Sequence, residues 1–420
     1  MDEIASSVGT PCYVYSRATL LEHVRRIRSA FAPLEPWVCF SVKSCPNLSI
    51  LKAIAGAGSG MDVVSGGELR RAMEAGCQAS RCVYAGVGKT DPEIELALRA
   101  GIGLFNVESE EEFATIASVA ERLGIPCDGA LRVNPDVDPK THRYTSTGNR
   151  ETKFGVDLRR AAAFLRATHG NRWCRWRGIH LHIGSPIYDP TPYHQAITKA
   201  LSLIDELAAD GIALDTLDLG GGFGADYTTG QSPSATSYAD IIVPLLAARV
   251  AAGLRVILEP GRSVAANAGS LLVSVVYTKD SGDRTFAICD AGMNALLRPS
   301  HYDAFHFIWP TRPPAGMVPS VRCVRPEMDG LVVHDIVGPL CETGDFLGLE
   351  RAIPRVARGD RLAVFTAGAY GMSMANRYNS SPLPAEVLVD GDSFEIIRAR
   401  ETYDDLVSHE RVGELAVTLA

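Results

Sequence analysis

A chain of 420 residues carrying 41 Lys and Arg against 49 Asp and Glu has a formal net charge of −8 and no block of basic residues. That balance argues against a nucleic-acid surface and suits a protein whose positive charge is confined to a pocket. No apolar run approaches the ~20 residues that a membrane helix needs, and the acidic start Met1-Asp2-Glu3-Ile4-Ala5 lacks the layout of a signal peptide.

In chain order, Pro11-Cys12-Tyr13-Val14-Tyr15 reads as a strand and Arg17–Phe31 as an amphipathic helix. Eight short apolar runs follow: Trp37–Val42, Met61–Val64, Cys82–Ala85, Ile102–Val107, Ala130–Val133, Gly178–Ile183, Leu214–Leu219 and Arg255–Leu258. Helical patterns alternate with them over Glu68–Ala75, Pro92–Ala100, Glu110–Leu123, Arg159–Thr168, Tyr193–Ala209 and Tyr238–Ala252. Ser65-Gly66-Gly67-Glu68 has capping-box spacing, and Gly76 sits where a helix should end. Near-continuous apolar strands belong in a parallel sheet covered on both faces. Eight of them over this length predict a (β/α)8 barrel, with a doubly wound open sheet as the alternative. After Ala265 the runs become β-rich, at Ser270–Tyr277, Thr285–Cys289, Gly330–Ile336, Arg361–Phe365 and Ala385–Val389, with Gly, Pro and Asp between them. We therefore expect residues 1–28 to supply a strand to a second domain, 29–265 to form the barrel, and 266–420 to form the mostly-β domain. Ten scattered cysteines contain no C-x-x-C pair and read as mostly buried thiols in a reducing compartment, so the cytoplasm is the expected location.

Functional groups of such a barrel sit at the C-terminal ends of its strands. That rule selects Lys43 after the first strand, His182 and Ser185 after the sixth, Gly220-Gly221-Gly222-Phe223-Gly224 after the seventh, and Glu259-Pro260-Gly261-Arg262 after the eighth. Singly, each has an ordinary structural explanation. Jointly they suit pyridoxal 5'-phosphate (PLP), which needs a lysine for a Schiff base, an acid for its pyridinium nitrogen and a glycine loop for its phosphate. Glu259 is the candidate acid, and the flat His182 ring could stack on the cofactor. A metal site is the weaker rival, because no His/Asp/Glu cluster has ligand spacing along the sequence. The second domain adds Cys341 and Glu342 in a turn-rich segment, Tyr370 among small residues, and Arg298 and Tyr302 after Asp290-Ala291-Gly292-Met293-Asn294.

These strings resemble the fold-type III PLP-dependent decarboxylases, and most closely the diaminopimelate decarboxylases. The likeness runs from Thr10-Pro11-Cys12-Tyr13-Val14-Tyr15 to Pro384-Ala385-Glu386-Val387-Leu388. It rests on Val42-Lys43-Ser44-Cys45-Pro46-Asn47, Asp62-Val63-Val64-Ser65-Gly66-Gly67-Glu68-Leu69, Arg132-Val133-Asn134-Pro135, Lys153-Phe154-Gly155, Leu296-Leu297-Arg298-Pro299 with Tyr302, and the rim motifs. It implies an alanine racemase-like barrel with Lys43 as the Schiff-base residue, His182 on the ring and Glu259 at the pyridinium. Asp62, Ser185, Gly221, Gly222, Gly261, Arg262 and Tyr370 would complete the cofactor site. Arg262, Arg298, Tyr302, Glu342 and Tyr370 would line the substrate site. Cys341 would protonate Cα after CO2 leaves, reaching across from the partner subunit of a homodimer, and meso-diaminopimelate would become L-lysine.

The sequence departs from the family at Pro186, where Gln is usual, at Ser44-Cys45, and at Ser381-Pro382-Leu383-Pro384, which lacks two arginines. These leave room for a decarboxylase of ornithine, lysine, arginine or a carrier-bound glutamyl group. A racemase would need a tyrosine base where the cysteine loop stands, and a non-catalytic homologue would be expected to lose Lys43 or Cys341.

Overall fold

A strand formed by Cys12–Ser16 (β1) precedes the barrel, and Ser16 caps the following helix, Arg17–Ala30, by accepting from the Thr19 N–H. The computed structural model describes residues 1–138 and 153–411. The barrel strands are Trp37–Ser41 (β2), Gly60–Val63 (β3), Cys82–Tyr84 (β4), Leu104–Val107 (β5), Cys127–Asn134 (β6), Cys174–His180 (β8), Thr216–Asp218 (β9) and Arg255–Leu258 (β10). A two-residue strand, Val156–Asp157 (β7), pairs with the end of β6. All eight are parallel, and β5 pairs with β6 as β2 pairs with β10, so the sheet closes. Each predicted apolar run overlaps one of these strands.

Period-2 alternation builds the barrel interior in layers. Cys39, Val83, Leu104, Ala130 and Ile257 form a small buried apolar cluster. Two residues further along four of those five strand paths stand Ser41, Asn106, Arg132 and Glu259, all buried. Gly60, Gly178 and Thr216 stand in the same relation to Asp62, His180 and Asp218. An apolar plug thus lies under a polar layer, and the polar layer faces the strands' C-terminal ends.

The remaining strands are Gly269–Ser281 (β11), Arg284–Cys289 (β12), Ile308–Pro310 (β13), Leu331–Val337 (β14), Phe346–Pro354 (β15), Arg361–Val364 (β16), Ala385–Asp390 (β17) and Ser393–Arg398 (β18). They form a second, separate sheet in the order β15-β14-β12-β11-β1-β17-β18, with β16 joining β11 to β13. β1 lies between β11 and β17, antiparallel to one and parallel to the other. The chain start therefore belongs to the same sheet as its later strands. Buried Glu386 accepts from the Tyr15 hydroxyl at 2.9 Å within this sheet, and it ties the sheet to the barrel by accepting from Asn47 Nδ2 at 2.8 Å.

Local differences from the sequence reading have physical causes. Ser65 caps its helix by accepting from the Glu68 N–H, but the Glu68 carboxylate takes the Val64 N–H rather than closing the box on Ser65. The helix Leu48–Gly56, capped by Asn47, was not anticipated because it is short and follows Pro46 directly. β15 carries Glu350-Arg351 in mid-strand and β18 is mostly exposed, so neither shows the apolar alternation that marks a strand.

Candidate active site

Lys43 lies in a single 3-10 turn, Val42–Ser44, immediately after β2. Its Nζ donates to Asp62 Oδ2 at 2.6 Å, and Ser41 Oγ donates to the same oxygen at 2.7 Å. Burial disfavours the Lys43 ammonium, but Asp62, Tyr370 and Glu259 more than offset this and hold its pKa above the ordinary lysine value. The free Lys43 side chain is thus an ammonium at neutral pH.

Glu259 follows β10 and is buried at the centre of the polar layer. Burial and the Asp62 charge raise its pKa to about 8, against the lowering influence of Lys43. Asn106 Nδ2 donates to both Glu259 Oε1 and Asp218 Oδ2 at 3.0 Å, and the Gly220 N–H donates to Asp218 Oδ1. Arg132, His180 and Asp218 are register partners on neighbouring strands. His180 is fully buried and pushed down to about 4 by burial, so it is neutral beside Glu259, 3.6 Å away. The His182 ring, likewise held well below the usual histidine range by burial, accepts the Gly221 N–H at 3.3 Å.

Above this layer opens a cavity of about 400 Å³, a volume typical of small-molecule sites. Lys43, His182 and Ser185 line it with Arg262, Arg298 and Tyr370; Phe154, Pro186, Tyr188 and Phe305 supply apolar walls. Both arginines are buried, and among the described residues neither is ion-paired with a carboxylate. Arg262 Nε donates to Ser185 Oγ at 3.2 Å, and its guanidinium lies 4.9 Å from the Tyr370 ring centre. Burying a cation without an anion is costly. Two such cations in one cavity point to an anionic ligand.

Most residues selected from the sequence therefore converge. Lys43, His182, Ser185, Arg262, Arg298, Tyr302 and Tyr370 line the cavity. Asp62 and Glu259 lie beneath it, and the Gly221 and Gly261 backbones adjoin that floor. Cys341 and Glu342 do not line this cavity: both are exposed, on the turn between β14 and β15, where the Cys341 N–H donates to Asn379 Oδ1. Eight of the ten cysteines are buried; Cys323 is half-buried. The fold also gathers His180, Asp218 and Glu259, whose ligand-type atoms lie within 4.8 Å of one another, from segments about 40 residues apart. Local spacing had hidden this cluster. Its two carboxylates already accept hydrogen bonds within the polar layer. Asn106, Asp218 and Tyr227 were missed; applying the strand-end rule to all eight strands would have found the first two.

A family model described as "Pyridoxal-dependent decarboxylase, pyridoxal binding domain" matches residues 17–266, which contain the whole barrel. Diaminopimelate decarboxylase of Neisseria meningitidis serogroup A is 45% identical over 97% of this chain and 96% of that protein. The crystal structure of diaminopimelate decarboxylase from Helicobacter pylori complexed with L-lysine is 37% identical, with a TM-score of 0.89 over 97% of this chain and 98% of the other. The M. jannaschii diaminopimelate decarboxylase, in co-complex with L-lysine, is 35% identical, with a TM-score of 0.90 over 98% and 94%. The match to the binding domain defines the class, a PLP-dependent carboxy-lyase. Within that class, the chain belongs to the diaminopimelate decarboxylase family.

The residues present fit the cofactor. Glu259 is a buried acid whose ionised form lacks a close cation, which a pyridinium N–H would provide. Gly221 and Gly222 permit a close backbone approach: a Cβ on Gly221 would lie 2.2 Å from the Glu259 carbonyl oxygen, and Gly222 has φ +106°. An amine that is to condense with the PLP aldehyde must first lose its proton, and the expected one is Lys43. Because Asp62 holds that proton on, Asp62→Asn should lower the Lys43 pKa. PLP uptake by the apoenzyme should then be about tenfold faster at pH 8, with its pH midpoint moved down. Stopped-flow absorbance checks this, and an unchanged or upward-shifted midpoint contradicts it.

Proposed function

We propose that the enzyme decarboxylates meso-2,6-diaminopimelate to L-lysine and CO2, as a homodimer in which each pocket is completed by the other subunit. The observation that carries this reading is the pair of buried arginines, Arg262 and Arg298, in the Lys43 cavity without a carboxylate among the described residues to neutralise them. A substrate with a second amino-acid head supplies that carboxylate. A diamine-forming substrate such as ornithine has only the one that leaves.

When bound, PLP supplies an electron sink for the pair released as the Cα–carboxylate bond breaks. Lys43 would be its covalent anchor. Glu259 would keep the pyridine nitrogen protonated, and the neutral His182 ring would pack against the cofactor. Ser185, Gly221, Gly222, Gly261 and Tyr370 would hold the phosphate. Arg262 and Arg298 grip the carboxylate that stays, through charge-assisted hydrogen bonds, with Tyr302 beside them. Phe154, Pro186, Tyr188 and Phe305 exclude water and strengthen these interactions.

The exposed Cys341 thiol stands outside its own chain's cavity, which supports a role in the partner's. There its S–H bond breaks as the new Cα–H bond forms, and solvent restores the thiol proton. Glu342 travels with it and suits the distal ammonium.

With PLP added, the purified enzyme should release CO2 and L-lysine from meso-diaminopimelate. The expected kcat/KM exceeds that for ornithine, lysine or arginine by ~10²-fold or more, because an unfilled polar site rejects analogues. Turnover of one of those three instead, or of a carrier-bound glutamyl group, would overturn the substrate. Lys43→Ala and Cys341→Ala should each lose ~10²-fold or more of activity. Mixing the two inactive variants should restore about a quarter of the wild-type rate, since random exchange in a twofold dimer leaves one site in four intact. No recovery after verified subunit exchange would rule out shared sites.

A further inference from the structure

The two buried guanidinium groups are braced by Tyr227 and His306. Tyr227, in the loop after β9, is buried, and its hydroxyl accepts from Arg262 Nη1 at 2.8 Å. The Arg298 guanidinium lies 5.3 Å from the centre of the same tyrosine ring. One phenol therefore touches both cations, with its oxygen toward one and its π face toward the other.

Arg298 also meets His306, which is fully buried in the segment joining the helix Arg298–Tyr302 to β13. His306 Nδ1 is 3.0 Å from the Phe365 carbonyl oxygen, which can only accept, so Nδ1 carries the proton. That leaves Nε2 as the lone-pair nitrogen, and Arg298 Nε donates to it at 3.4 Å. The His306 and Tyr227 rings meet edge to face, 5.3 Å apart at 87°. Burial and then the Arg298 charge push the His306 pKa down to about 3, so the ring stays neutral and keeps its acceptor. Further from Arg298, Arg351 and Arg262 act in the same direction.

We propose that Tyr227 and His306 are positioning residues for the substrate's non-reacting carboxylate, holding Arg262 and Arg298 as one preformed fork. Tyr227 and Arg262 come from the barrel, whereas His306 and Arg298 come from the segment between β12 and β13. The brace thus fixes the fork across the junction of the two sheets. Two like charges at close range would otherwise separate or move toward solvent, and re-forming the fork would draw on substrate binding energy. Neither residue touches the reacting bond in this scheme, so their loss should appear in binding.

This inference rests on the reading that the substrate keeps one carboxylate after reaction. The product L-lysine retains that group; cadaverine, the same skeleton without it, does not. In PLP-loaded enzyme, Tyr227→Phe and His306→Leu should each raise KM for meso-diaminopimelate and Ki for L-lysine by roughly tenfold. They should leave kcat within about threefold, and PLP content and cadaverine inhibition unchanged. His306→Gln, which restores an acceptor near Nε2, should recover most of the lost affinity. Should the leucine variant fail to fold, Tyr227→Phe, a single-oxygen change, carries the test. Unchanged KM and Ki, or equal weakening of L-lysine and cadaverine, overturns the positioning role. A wild-type enzyme inactive on meso-diaminopimelate removes the underlying reading and this inference together; an active one with unaffected variants removes this inference alone.

Discussion

The buried polar layer two residues above the barrel's apolar plug is the constraint on which the rest of the site depends. Asp62, Asp218 and Glu259 share that layer with Arg132, with the Lys43 ammonium directly above on Asp62, while His180 is held neutral. Burial penalises every charge there, so each survives only with partners. Asn106 ties Asp218 to Glu259, Asp62 takes Lys43 and Ser41, and Arg132 pairs with Glu108 at 2.7 Å. Asp218 and Glu259 are both still held above the ordinary carboxylate range, and at Glu259 a protonated pyridine would offset part of that cost.

The cavity above carries the opposite imbalance. Arg262 and Arg298 are buried cations supported by aromatic faces and neutral acceptors, which orient a guanidinium without cancelling its charge. An acid-rich floor under a cation-rich wall separates two tasks. In the proposed reaction the floor would set the electronic state of the cofactor, and the wall would select a molecule with an extra carboxylate. Because the wall draws on both sheets, the Asn47–Glu386 hydrogen bond, which links the second sheet to the barrel, bears on the site although it lies outside it.

Much of this was legible in the sequence because barrel chemistry is local to strand ends. Lys43 and Glu259 each directly follow an apolar run and His182 stands at the end of one, and the eightfold count put them on one rim. Asn106 and Asp218 were equally close to strand ends but were overlooked as ordinary polar residues, since nothing local shows that they bond to each other and to Glu259. Tyr227 and His306 were less accessible still. Their importance comes from contacts with Arg262 and Arg298, and for Tyr227 these span 35 and 71 positions of chain. Cys341 is the reverse case: it was singled out through its resemblance, and its own chain leaves it exposed and outside the cavity.

The central claim is that Lys43, held by Asp62 beneath the cavity, is the covalent anchor of PLP. Borohydride reduction of the PLP-loaded enzyme, followed by proteolysis and peptide mass mapping, tests it directly. The account predicts a pyridoxyl group on Lys43 in stoichiometric yield. A label on Lys52, Lys89, Lys153 or Lys199 in its place, or none on an enzyme that still turns over, would contradict it.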